Sequence, residues 1–128
     1  IIDKEKAKSM LNLIEDREKF VSSANMGEFS TIIVENYYEI IKELATAILL
    51  LDGLKTMGEN AHKELIDCLL NYKELTEDEI FLANDLRIKR NKSNYEGKRI
   101  PKEYLEDKKD RILALVKKLK GLLHEKLA

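Results

Sequence analysis

Residues 30–51, "STIIVENYYEIIKELATAILLL", decide the fold class. Tyr37, Tyr38, Ile40, Ile41, Leu44, Ala45, Ile48 and Leu49 recur at helical spacing and cover most of a helix circumference. A helix apolar on nearly every side must be surrounded by other elements, so this one is expected at the centre of the domain. Its longest apolar run, Ala47 to Leu51, falls far short of the ~20 residues needed to cross a bilayer. Gly53 and Gly58, within "DGLKTMGEN", are read as the breakers that end it.

Four more helices are expected around it. Ala7, Met10, Leu11, Ile14 and Val21 predict a helix from about Asp3 to Ser22, broken by "SANMGEFS" with Gly27 as the turn residue. Another spans about Ala61 to Asn71, with Asn60 as N-cap. Thr76-Glu77-Asp78-Glu79 forms a capping box, in which the Thr76 hydroxyl serves the Glu79 amide and the Glu79 carboxylate reaches back. It starts a helix that runs to about Tyr95. After the loop "EGKR", Pro101 suits a first helical turn because its missing N–H costs nothing there. Leu105, Ile112, Leu115, Val116, Leu119, Leu122 and Leu123 then carry the last helix nearly to the C-terminus. No segment alternates with period two. The expectation is one all-α domain over residues 1–128, an up-and-down antiparallel bundle of four to five helices.

The chain of 128 residues is long enough for one core. Its charged fraction of 37%, against about 25% in an average protein, is a Lys/Glu enrichment associated with thermophilic sources. Cys68, flanked by Leu65, Ile66, Leu69 and Leu70, reads as a small core residue. A single cysteine has no internal disulfide partner, which points to a reducing, cytoplasmic compartment. No signal-peptide pattern is visible. Starting at Ile1 rather than Met, the chain is expected to lack a residue or more upstream.

The net charge of −1 conceals an uneven distribution. Between Arg87 and Lys102 stand seven cations (Arg87, Lys89, Arg90, Lys92, Lys98, Arg99 and Lys102) and one anion, Glu96, so that segment carries +6. The rest of the chain carries −7. Local field, not net charge, governs recruitment of an anionic ligand.

The same segment holds an inconsistency of pattern. Ile80, Ala83 and Leu86 define the inward arc of their helix, and Arg87, Arg90, Asn91 and Asn94 continue along nearly the same arc. Asp85, Lys89 and Lys92 fall on the opposite, solvent side, where the two lysines can still steer a phosphate. Unpartnered guanidinium groups are too costly to bury. The arc must therefore face carboxylates, a cleft or another subunit. One reading is an internal ion-pair network with Glu35, Glu39 or Glu43. The other is an anion site lined by Arg87 and Arg90.

A tyrosine-bearing long helix, "ENYYEIIKELATAILLLDGL", leads into a glycine turn and "HKELIDCLL"; "LRIKRNKSNYEG" and a last long helix follow. This order resembles the HEPN superfamily (higher eukaryotes and prokaryotes nucleotide-binding domains), over about Ala7 to Leu123. The resemblance implies a four-helix bundle plus a shorter helix, usually dimeric. Members include metal-independent ribonucleases, toxins paired with minimal nucleotidyltransferases, and substrate-binding modules. Active members carry an Arg, a polar follower, and a His four to six residues after the Arg, with two copies of the motif facing across the dimer. Arg90 matches the Arg and Asn91 the follower. At the His position this chain has Asn94 and Tyr95, and no histidine.

RNA cleavage without a metal needs proton transfer near neutral pH, which histidine suits. Asn94 does not titrate, and a tyrosine of pKa about 10 is a poor base. Arg90 still offers bidentate hydrogen bonds to a phosphate. Tyr95 is expected as a half-buried aromatic closing its helix, with base stacking or modification as alternatives. His62 is assigned to capping or packing and His124 to the surface. Neither makes a metal site, and no cofactor is expected. Three functional expectations follow. The first is a homodimeric module holding a nucleotide or RNA phosphate on Arg87, Arg90, Asn91 and Asn94, alongside a separate nucleotidyltransferase. The second is a metal-independent endoribonuclease or toxin using Arg90, Asn91 and Tyr95. The third is a structural or adaptor bundle whose polar arc sets dimer register.

Overall fold

The computed structural model describes residues 3–54 and 61–128. Five α-helices follow in order: α1 Lys4–Ser23, α2 Ser30–Leu51, α3 Ala61–Cys68, α4 Glu77–Glu96 and α5 Lys102–Leu127. Leu69–Asn71 tightens into a 3-10 turn after α3, where the sequence suggested one continuous helix. No strand occurs among the described residues.

Contacts between helices fix their directions. Glu39 and Glu35 of α2 meet Arg90 and Ser93 of α4, so these two run antiparallel. Glu79 and Asp85 of α4 meet Lys118 and Tyr104 of α5, which makes that pair antiparallel as well. The start of α2 bonds Ile100, just before α5, and Asp52 just after α2 meets Lys126 near the end of α5. The four long helices thus alternate up and down, with α2 packed against α1, α3, α4 and α5. Thirteen of its side chains are buried, as its apolar circumference requires. Each large one removed from water is worth about 1.5–3 kcal/mol before conformational entropy is charged.

The helix ends follow local chemistry. Asp3 caps α1 by accepting from the Lys6 amide. Thr76 and Glu79 form the reciprocal capping box of α4. Gly97 ends α4 in the left-handed region at φ 68°, the usual helix C-terminal device. Gly53 does the same beyond α2 at φ 72°. Gly27 lies in the α1–α2 turn, but that turn is held by Asn25, whose side chain accepts from the Glu28 amide, and requires no left-handed residue. Pro101 stands at the N-cap of α5, one place before the first turn. Gly58 and Asn60 lie outside the described residues.

Candidate functional site around Arg90

The polar half of α4 faces α2 because Ile80, Leu82, Ala83 and Leu86 anchor its first half in the core. Arg90, one turn further along, must then enter the α2–α4 cleft, and its side chain is only 15% exposed. Each of its three guanidinium nitrogens has a partner. Nη2 lies 2.8 Å from Glu39 Oε1, and Nη1 donates to Asn91 Oδ1 at 3.3 Å. With the Asn94 amide turned to satisfy both ends, its oxygen accepts from Arg90 Nε at 3.1 Å and its nitrogen donates to Glu35 Oε2 at 2.8 Å. The guanidinium also lies over the ring of Tyr38, 5.4 Å from its centroid. Ser93 Oγ donates to Glu35 Oε2 at 2.6 Å.

Glu39 has a second cation, Lys42 Nζ, at 2.7 Å from Oε2. Burial pushes its pKa upward, but the Lys42 hydrogen bond and charge, with Arg90 and Arg17, outweigh this and hold it below the ordinary carboxylate value. Glu43 is occupied by Arg17, whose Nε is 3.0 Å from Oε1. The carboxylates foreseen as partners of the arc are therefore divided. Glu39 and Glu35 face α4, and Glu43 turns to α1.

Arg87 is placed differently. Its Nε donates to Asn84 Oδ1 at 3.3 Å, and Asn84 in turn donates to Asp67. Neither terminal nitrogen has a partner among the described residues. Arg90 is a locked structural cation, whereas Arg87 keeps the fork of donors that recognises phosphate.

His62, of which capping or packing was expected, lies against this group. Twenty-eight residues and a different helix separate it from Arg90, yet its ring stands 6.3 Å from that of Tyr38, tilted by 47°. Partial burial and the cations Lys42, Arg90 and Arg87 lower its pKa, with Glu39 opposing them. The neutral form of the imidazole is thereby favoured. Tyr38 is fully buried, its hydroxyl has no hydrogen-bond partner among the described residues, and burial raises its pKa to about 12 despite Arg90. Tyr38 is a packing surface, not a base.

Tyr95 does not close the helix end as a half-buried ring: it is 78% exposed. The side of α4 assigned to solvent is also partly covered. Asp85 accepts from the Tyr104 hydroxyl at 2.5 Å, and Lys89 lies over the Tyr104 ring. Lys92 and His124 are exposed, as expected. Cys68 is partly buried against the core.

Two recesses flank the Arg90 group. One, of about 540 Å³, is lined by Lys42, Glu43, His62 and a floor that includes Leu49 and Leu65. The other, of about 580 Å³, is lined by Thr31, Glu35, Ser93, Lys98 and Arg99. Arg87 and Arg90 line neither. Among the described residues no cluster of three or more His, Cys, Asp or Glu side chains is placed to hold a metal, and no helix is long and apolar enough to cross a membrane. Compared with protein-family models and with curated protein sequences, the chain matches none.

Proposed function

We propose that this chain is a HEPN-type binding module that holds a nucleotide or an RNA phosphate along the flank of α4, as a homodimer in the cytoplasm and alongside a separate nucleotidyltransferase. The observation that carries the reading is the contrast between the two arginines. Each of the three guanidinium nitrogens of Arg90 is engaged inside the cleft, and the side chain fixes Asn91 and Asn94 beside it. Arg87, on the same flank, presents terminal nitrogens that have no partner among the described residues. Lys98 and Arg99 at one end, and Lys42 and neutral His62 at the other, extend the track. A phosphate anchored on Arg87 gains two parallel N–H donors, and its neighbours along an RNA strand reach the flanking lysines.

The test is fluorescence anisotropy of labelled single-stranded RNA and of a mononucleotide, in EDTA and low salt. Arg87→Ala is expected to weaken binding at least tenfold and to lower the salt slope by about 0.7, one contact on a single strand. Equal affinity of wild type and variant, or no binding by either, removes the proposal and leaves the structural bundle.

A second reading, a metal-independent endoribonuclease, is favoured by one observation, the position of His62. A neutral imidazole beside Tyr38 and Arg90 is the proton acceptor missing from the end of α4. In this reading His62 replaces Tyr95 as the base. RNA cleavage in EDTA that His62→Gln abolishes, while binding persists, would establish it. Intact RNA at high protein concentration would discard it.

A further inference from the structure

The recess between α1, α2 and α3 has two unlike ends. Lys42, Thr46, Leu49 and Leu50 border it from α2, and their spacing of i, i+4, i+7 and i+8 puts them on one side of that helix. Its volume of about 540 Å³ falls within the ~300–1,000 Å³ of small-molecule sites. One end is polar. There Lys42 is joined by His62, whose ring stands against Tyr38, about one turn before Lys42. Towards the other end Leu49 and Leu50, with Leu54 just beyond α2, meet Met10 of α1 and Leu65 of α3. Leu54 is 53% exposed, so apolar surface stands open to water at this end.

The polar end is short of an acceptor. The Lys42 ammonium has three N–H donors, and among the described residues its one carboxylate partner is Glu39, at 2.7 Å. The Lys42 side chain is only 22% exposed, which leaves the remaining donors to whatever enters the recess. Glu43, also on the wall, offers little opposition. Its Oε1 is held by Arg17, and its Oε2 is buried away from solvent. Arg17, Lys42 and Arg90 set against Glu39 and Glu43 leave one positive charge at this end. Lys6, which lines the recess without an ion pair among the described residues, adds a second. A single anionic head group is favoured there and a cationic one is repelled.

We infer that this recess binds a linear medium-chain carboxylate, its head on Lys42 and His62 and its tail laid along Thr46, Leu49 and Leu50 towards Leu54. Lys42 to Leu50 spans about 12 Å at 1.5 Å per residue, the length of a chain of about eight to ten carbons. The ammonium and one imidazole N–H donate to the two carboxylate oxygens, and the tail covers the leucines and Met10. A nucleotide fits this recess poorly, because its sugar and phosphate would face leucines that offer no hydrogen bond. Arg87 does not line the recess, so the carboxylate site and the phosphate track stand or fall separately.

The test is isothermal titration calorimetry of the full chain with sodium hexanoate, octanoate, decanoate and dodecanoate below micelle-forming concentrations. Affinity is expected to rise about three- to fourfold for each added methylene up to decanoate, then to level off as the tail leaves the recess. Decanol and decyltrimethylammonium, which keep the tail and change the head, should bind at least tenfold more weakly than decanoate. Thr46 is exposed, and its hydroxyl bonds the Lys42 carbonyl of its own helix, so Thr46→Trp should fill the recess and abolish binding with helicity unchanged. No saturable binding of decanoate by the wild type overturns the site. Equal binding of the cationic amphiphile, or affinity that still climbs as steeply at dodecanoate, means an adventitious additive only and overturns it too. Decanoate binding that survives in a folded Thr46→Trp variant places the ligand elsewhere and has the same consequence.

Discussion

Arg90 and Glu39 meet at 2.8 Å across the α2–α4 cleft, and this contact lets a polar half-helix pack where an apolar one is expected. The pair is mostly buried, with 15% and 19% of the two side chains exposed. Removing one partner strands the other charge. Glu39→Ala is therefore expected to cost about 2 kcal/mol in urea unfolding, with an unchanged m-value.

The same carboxylate sets an acid limit. Its pKa is lowered on folding from the ordinary 4.5, so its contribution is complete above that value and is lost as pH falls through the lower folded value. Wild-type stability should decline below about pH 4.5, while Glu39→Gln, less stable at neutral pH, should show a shallower decline. Urea midpoints from pH 3 to 7 check this.

His62 titrates in the opposite chemical sense. Its folded pKa lies below 6.5, so the neutral form is favoured and its contribution is lost as pH falls through the lowered value. A bound phosphate reverses the local field. In imidazole NMR titrations His62 should shift to higher pKa on addition of a mononucleotide.

Two glycines give opposite backbone outcomes. Gly97 sits at φ 68° with open space around it, so Gly97→Ala should destabilise by about 1 kcal/mol through backbone strain alone. Gly121 lies inside α5, also in open space and without positive φ. Gly121→Ala should stabilise by about 0.5–1 kcal/mol. Thermal unfolding of the two variants separates these effects.

The helices were legible because their signals are local. The apolar density of Ser30–Leu51 and the Thr76–Glu79 capping box mark α2 and the start of α4 without reference to any other part of the chain. The inward turn of Arg90 was legible from the arc of Ile80, Ala83 and Leu86. The choice of partner was not, because Glu35, Glu39 and Glu43 all sit on one side of α2, and only the register of α2 against α4 and α1 assigns them. The position of His62 beside Tyr38 is a tertiary fact with no sequence spacing to announce it.

The most direct test of the proposed site is the arginine Nε–Hε NMR spectrum of the protein titrated with a short RNA. The Arg87 signal is expected to shift and saturate, while that of Arg17, already bonded to Glu43, stays fixed. Arg87 and Arg17 moving together without saturation, or neither moving, would contradict the account.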